Sequence, residues 1–147
     1  MWAQQQFEAL MFVVSGLKLA VPLITLGNIQ HIEGPLTTVP GQADWLMGLL
    51  WTRGTQIRTV NTALFVMPER YNPKFVETAE YIVTINGMPW GLAIDAIDKV
   101  VSLRPEEVSW RTQRTKRPWL AGTVKTQMCA LLDISTLGEM FKQVDKS

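Results

Sequence analysis

The sequence has only one cysteine and one histidine among its 147 residues, and these scarcities exclude several kinds of site. Cys129 has no partner for an intramolecular disulfide or a cysteine-rich zinc site, and we interpret it as a small residue packed in an apolar strand. His31 lies in an alternating stretch typical of a solvated strand end. The P-loop pattern and the Gly-x-Gly-x-x-Gly turn are also missing. We therefore expect no enzyme, no metal and no cofactor.

Long apolar runs and an excess of charge of one sign are also missing. The fourteen Lys and Arg balance thirteen Asp and Glu to a net charge of +1, so no overall field attracts nucleic acid or anionic lipid. The apolar stretches Ala9–Val14 and Leu46–Trp51 are far shorter than the roughly 18 residues that span a bilayer. Residues 1–8 lack the basic start and apolar run of a signal peptide. These features predict a cytoplasmic protein.

An internal repeat is the most informative feature that is present. Residues 12–29 (FVVSGLKLAVPLITLGNI) align with residues 83–100 (VTINGMPWGLAIDAIDKV). A second match sets Trp45 on Trp119, Leu46 on Leu120, Gly48 on Gly122, Leu50 on Val124 and Ile57 on Leu131. We expect a single domain, 1–147, with lobe 1 over about 9–66, a connection over 67–78 and lobe 2 over about 79–134.

The repeated segments have the pattern of strands joined by tight turns. Ser15-Gly16 and Asn86-Gly87 each lie between β-rich runs, and Asn-Gly is the strongest short hairpin signal. Many short strands with tight turns predict an all-β fold, either small barrels or a sandwich.

The tail has a different periodicity. Ile134, Leu137 and Phe141 recur with helical spacing, which predicts a short C-terminal helix over 135–144. Ser135 is the predicted N-cap of this helix.

A local basic stretch, SWRTQRTKRP over 109–118, is the main charge feature. Its cations Arg111, Arg114, Lys116 and Arg117 lie between Trp110 and Trp119. Cations interleaved with aromatics can follow a phosphate backbone while bases stack on the rings, so one interpretation is a nucleic-acid-binding double β-barrel that uses loop 109–119. The others are a solvated loop and a contact with an acidic protein surface.

From Leu10 to Phe141 the chain resembles the CheW-like family, the coupling proteins of bacterial chemosensory arrays. In PGQADWLMGLLWTRGTQIRTVN, over 40–61, Gly48 and the pair Arg53-Gly54 fall on the family's glycine and its Arg-Gly. The second half carries the family's other markers, which are Asn86-Gly87, Gly91–Asp95, Val100, Gly122 and Leu131-Leu132-Asp133.

The resemblance implies both a fold and a function. The fold is two similar five-stranded SH3-like β-barrels with a helix near the end. The function is non-catalytic: binding of chemoreceptor signalling tips and of the regulatory domain of the chemotaxis histidine kinase. The implied receptor groove contains Leu26, Ile29, Arg53, Gly54 and Arg58. A second partner surface would use Trp90, Trp110, Arg111, Arg114 and Arg117.

Two departures from the family pattern lie in the first half. Arg58 replaces a proline, and Asn61-Thr62 replaces an Asp-Leu pair. These changes suggest a divergent member that is part of a larger array-associated protein, such as the array-integrating domain of a ParP-like polar localisation protein. A polar localisation ATPase, bound through regions outside this chain, is then a further expected partner.

Overall fold

The computed structural model describes residues 5–113 and 116–145. The described residues form two antiparallel-rich sheets and three α-helices. The strands are β1 Phe7–Val14, β2 Leu17–Pro22, β3 Leu26–His31, β4 Leu46–Thr52, β5 Thr55–Val60, β6 Tyr81–Ile85, β7 Trp90–Ile94, β8 Ala96–Leu103, β9 Val108–Trp110, β10 Leu120–Val124 and β11 Cys129–Leu132. The helices are α1 Thr62–Val66, α2 Phe75–Thr78 and α3 Ile134–Asp145.

The predicted all-β class is confirmed. One sheet has six strands in the order β8-β1-β2-β11-β10-β9, and the other has five in the order β3-β6-β7-β5-β4. Each sheet has two edge strands rather than a closed ring, and β9 adds a sixth strand to the predicted five. Among the described residues, no helix combines the length and the apolar character needed to cross a membrane.

The repeat is visible in the topology, because the two sheet orders correspond strand for strand apart from β9. The third strand of each half pairs with the first hairpin of the other half: β3 pairs with β6, and β8 pairs with β1. The second hairpins cross as well, with β5 parallel to β7 and β11 parallel to β2. Each sheet therefore contains strands from both halves of the chain. The boundaries of the sheets thus differ from a division of the sequence at residues 66 and 79.

The chain changes sheets at the corners that follow the first hairpins. In the first half, Pro22 ends β2, and a short 3-10 turn, Leu23–Thr25, leads into β3. In the second half, Asp95 alone separates β7 from β8. The Asp95 carboxylate accepts hydrogen bonds at 2.6 Å from the Ser15 backbone N–H and from the Thr78 hydroxyl. This carboxylate therefore ties the corner to the β1–β2 turn.

The second hairpins share a register irregularity. In one, Leu46 pairs with Val60 and Gly48 with Thr59. In the other, Leu120 pairs with Leu132 and Gly122 with Leu131. Leu131 is therefore the equivalent of Thr59 rather than of Ile57. The alignment of Ile57 on Leu131 is wrong because the β4–β5 hairpin continues two residue pairs further before it turns.

The C-terminal helix packs on the five-stranded sheet through an aromatic cluster. The Phe141 ring lies 5.5 Å from Trp45, 5.2 Å from Trp90 and 4.9 Å from Phe65, between ring centroids. The helix begins at Ile134, one residue earlier than predicted, and Asp133 rather than Ser135 caps it: the Asp133 Oδ1 atom accepts from the Thr136 backbone N–H at 3.1 Å. Asp133 precedes the first helical residue, so its partly buried carboxylate can reach the Thr136 N–H, whereas Ser135 lies inside the first turn.

Candidate partner-binding surfaces

The turn between β4 and β5 consists of Arg53 and Gly54. Thr52 pairs directly with Thr55, so these two residues alone reverse the chain. Both have left-handed backbone conformations, with φ of 50° at Arg53 and 76° at Gly54. This conformation costs a non-glycine residue about 1–2 kcal/mol. Arginine at this position is therefore poorly suited to the turn itself, and its side chain projects from an exposed hairpin tip.

Arg53 borders a depression of about 220 Å³. Gly27 and Asn28, which lie between Leu26 and Ile29 on β3, form another side of the same depression. Ile29 is 41% exposed, whereas Leu26 is partly buried against the larger core. The structure thus brings Arg53 close to Gly27 and Asn28 of β3, the strand on which Leu26 and Ile29 also lie. We call this surface the Arg53 depression.

A threonine that the sequence analysis did not single out shapes the floor of the Arg53 depression. The Thr84 Oγ1 atom accepts from the Asn28 backbone N–H at 2.7 Å and lies 3.2 Å from the Asn28 carbonyl oxygen, to which it can donate. A Cβ atom at Gly27 would lie 2.5 Å from the Thr84 Oγ1 atom, so glycine is required at this position. Thr84 lies in an apolar strand, and nothing in its local pattern distinguishes it from a core threonine.

Arg58 is not part of the Arg53 depression. Side chains alternate along a strand, and on β5 Ile57 faces this depression while Gln56 and Arg58 face a larger cavity of about 460 Å³. The Arg58 guanidinium lies over the Trp90 ring, 5.2 Å from its centroid. The residues predicted to form one receptor groove therefore lie on two faces of the sheet. We call the larger feature the Arg58 cavity.

The predicted second surface is corrected at its aromatic residues. Trp90 is 3% exposed and belongs to the aromatic cluster under α3, so it offers no surface to a partner. Trp119 is 7% exposed, and the half-buried Trp110 donates its indole N–H to the Pro105 carbonyl at 2.8 Å. Trp119 therefore presents no stacking platform, whereas Trp110 keeps part of its ring accessible. The nucleic-acid interpretation therefore loses one of its two aromatic residues.

The basic residues of this loop have different environments. Arg111 is exposed, and Arg117 forms an ion pair with Glu69 at 3.0 Å across to the segment between the halves. Arg114 lies outside the described residues. Both members of the Arg117–Glu69 pair are about half exposed, so solvent screens the interaction.

The residues suited to chemistry are dispersed. His31 is exposed at the end of β3 and contacts Tyr81 edge to face. Cys129 is buried, and this burial raises the pKa of its thiol, which disfavours the reactive thiolate. Within residues 5–113 and 116–145, no three His, Cys, Asp or Glu side chains are grouped in a way that could hold a metal ion. His31 on β3 and Cys129 on β11 lie in different sheets.

Comparison with known proteins agrees with this architecture. A family model described as the CheW-like domain matches residues 8–141. The crystal structure of the scaffolding protein TtCheW from Thermoanaerobacter tengcongensis matches with a TM-score of 0.69 and 15% sequence identity, covering 86% of each chain. At this identity the structural match shows a common fold. The search of curated proteins found no match.

Proposed function

Because the chain belongs to the CheW-like domain family, we propose that it is a non-enzymatic scaffold of bacterial chemosensory arrays. The family match extends over residues 8–141 and therefore includes both sheets. The positions of His31 and Cys129 in different sheets agree with a binding role. In this proposal the protein acts in the cytoplasm, at the arrays.

The Arg53 depression is the proposed contact for a chemoreceptor signalling tip. A receptor tip is a helical hairpin, and a helix is held by apolar side chains at i, i+3, i+4 and i+7 against an apolar floor. Ile29 and the partly buried Leu26 flank Gly27 and Asn28 on β3 and supply apolar surface next to the depression, and Arg53 supplies a planar cation at its rim. The observation that carries the proposal is the left-handed backbone of Arg53, where an arginine occupies the turn despite the cost of the conformation.

The regulatory domain of the chemotaxis histidine kinase is the second proposed partner. An exposed stretch that includes Arg111 is the proposed contact surface, separate from the Arg53 depression. Binding of both partners would make the protein a coupling protein. Binding of the receptor alone would make it a localising adaptor, joined to a polar localisation ATPase through a region outside this chain.

The experiment is a pair of calorimetric titrations, one with a receptor tip fragment and one with the isolated kinase regulatory domain. Each is performed on the unaltered chain and on Arg53→Asn, because asparagine tolerates a left-handed backbone and removes the guanidinium. We expect Arg53→Asn to weaken receptor-tip binding about tenfold or more and to keep or raise the melting temperature. Ser15→Asn is the matched control, since Ser15 has the same φ of 50° in the β1–β2 turn.

The outcomes separate the roles. Unchanged receptor affinity in Arg53→Asn would remove this residue from the interface. Absence of binding to both partners by a folded chain would contradict the scaffold proposal. An equal loss of affinity in Ser15→Asn would mean that general turn geometry, not the arginine side chain, controls binding.

A further inference from the structure

One extra residue interrupts the pairing of β3 with β6 beside the Arg53 depression. Leu26 pairs with Ile85 and Ile29 pairs with Val83, so three steps along β3 correspond to two steps along β6. Residues three apart on a regular strand point to opposite sides of the sheet, whereas residues two apart point to the same side. The bulge therefore places Leu26 and Ile29 on the same side of β3.

The hydroxyl of Thr84, between Val83 and Ile85 on β6, closes the gap that this bulge leaves. Its Oγ1 atom accepts from the Asn28 backbone N–H at 2.7 Å. The same atom lies 3.2 Å from the Asn28 carbonyl oxygen and 3.1 Å from the Asn28 Oδ1 atom, and it can donate to either. Thr84 is only 6% exposed, so these bonds are largely shielded from water. One side chain thus replaces bonds that the strand ladder does not make here.

The other half of the chain builds a bulge without a hydroxyl. On β8, one extra residue lies between Ile97 and Lys99, which pair with Phe12 and Met11 of β1. Neither of these two β1 side chains carries a hydroxyl. The fold itself therefore does not require a threonine opposite such a bulge, and the Thr84 contact is particular to the edge strand that borders the Arg53 depression.

The β3 backbone and the Thr84 hydroxyl fix each other's position. A Cβ atom at Gly27 would lie 2.5 Å from the Thr84 Oγ1 atom, so little space separates them. Gly27, Asn28 and Thr84 all border the depression to which Arg53 also contributes. A displacement of the hydroxyl would therefore move the wall that Gly27 and Asn28 form.

We propose that Thr84 is the positioning residue of the receptor contact. Its hydroxyl holds the β3 bulge in the shape that brings Leu26, Ile29 and Arg53 within reach of one receptor tip. Thr84 acts through Asn28 and does not itself touch the partner. A surface that is fixed in advance lowers the entropy that binding would otherwise lose. The inference rests on the receptor contact proposed above and assigns it a residue outside the contact surface.

Amide hydrogen exchange of the 15N-labelled chain tests the hydrogen bond without a partner. Asn28 is exposed, and its backbone N–H donates to the Thr84 hydroxyl. We expect Thr84→Val to accelerate the exchange of this N–H about tenfold or more, because the acceptor is lost. Thr84→Ser retains the hydroxyl and should keep the exchange slow.

Calorimetric titration with a receptor tip fragment then tests the positioning role. We expect Thr84→Val to bind about tenfold more weakly and Thr84→Ser to restore most of the affinity. Thr59→Val is the matched control, because Thr59 and Thr84 are both buried and pair with Gly91 from its two sides. Both threonines point away from the Arg58 cavity. The Thr59 hydroxyl has no hydrogen-bond partner within the described residues, so its loss should leave receptor affinity unchanged.

A double-mutant cycle tests whether the hydroxyl acts through the bulge. Gly27→Ala places a Cβ atom against the Thr84 hydroxyl and should displace it, so this variant and Thr84→Ala should each bind about tenfold more weakly. Because both changes remove the same contact, the double variant should also lose only about tenfold. A loss of about a hundredfold would mean that the two residues act independently, and it would overturn the inference. The melting temperature of each variant shows that it is folded.

The other outcomes are equally distinct. Normal receptor binding by Thr84→Val, an equal loss in Thr59→Val, or no recovery in Thr84→Ser would each overturn the positioning role. Slow exchange of the Asn28 N–H in Thr84→Val would contradict the hydrogen bond, whatever the receptor titration gives. Absence of receptor binding by the unaltered, folded chain would contradict the proposed receptor contact itself, and the role of Thr84 with it.

Discussion

Asn61 and Asp133 occupy equivalent positions at the ends of the two second hairpins. The backbone N–H of each donates to a tryptophan carbonyl at 2.7 Å, Asn61 to Trp45 and Asp133 to Trp119. Each side chain then caps the helix that follows: Asn61 Oδ1 accepts from the Leu64 N–H and Asp133 Oδ1 from the Thr136 N–H, both at 3.1 Å. The replacement of the family's aspartate by Asn61 therefore preserves the cap.

The two caps should differ in their contribution to stability. Asp133→Ala should lower the free energy of unfolding by about 1 kcal/mol, the usual effect of losing an N-cap. Asn61→Ala should cost about 2–3 kcal/mol, because Asn61 is 3% exposed and also donates to the Tyr71 hydroxyl at 2.8 Å. Urea denaturation measures both. Ser135→Ala is the control and should change stability little, and an equal loss in all three variants would contradict this assignment of caps.

A second equivalence predicts a stabilising substitution. The Thr59 hydroxyl is fully buried and has no hydrogen-bond partner within the described residues, whereas the equivalent position in the other half is Leu131. Thr59→Val should therefore raise the free energy of unfolding by about 1 kcal/mol, because an unsatisfied polar group is removed with little change of shape. Thr84→Val is the control and should destabilise the fold, since the Thr84 hydroxyl accepts from Asn28. A loss of stability in Thr59→Val would show that its hydroxyl is satisfied.

The sequence predicts the repeat and the strand content, but not which strands pair. The glycine turns and the matched tryptophans reflect local geometry, which both halves repeat. β3 joins the sheet that begins with the second half, and β8 joins the sheet that begins with the first half. Which sheet each strand joins depends on the direction in which the chain leaves Pro22 and Asp95, and this direction is a tertiary property. The turn at Asn86-Gly87 shows the same limit: only Gly87 has a positive φ, of 76°, and Met88 and Pro89 lengthen the connection.

The placement of the candidate residues in the fold was predictable in part. The resemblance identified Arg53 and the β3 segment, which border one depression. It also grouped Arg58 with them, although strand alternation directs Arg58 to the other face of β5. The burial of Trp90 was not predictable from its neighbours, because Phe141 covers it from a helix 51 positions later in the sequence.

The aromatic cluster makes α3 part of the core. Phe141 is fully buried between Trp45, Trp90 and Phe65, so Phe141→Ala should lower the free energy of unfolding by about 3–5 kcal/mol. Lys142→Ala, one residue along the same helix, removes only an exposed 3.6 Å ion pair with Glu139 and should cost less than about 0.5 kcal/mol. Chemical denaturation of both variants measures the difference. Similar costs would mean that the helix is held by its surface rather than by the cluster.

The buried Cys129 thiol links stability to pH. Burial raises the pKa of this thiol, and the nearby Lys18 ammonium opposes only part of the rise. In the unfolded chain the thiol ionises at its ordinary pKa of about 8.5, while the folded chain still holds the proton. The unfolded state thus gains free energy from ionisation as the pH rises, so the contribution of Cys129 to stability is complete below about pH 8.5 and decreases above it. Urea denaturation between about pH 7 and 10 should show a steeper alkaline loss of stability for the unaltered chain than for Cys129→Ala. Parallel curves would mean that the thiol ionises equally well in the folded chain.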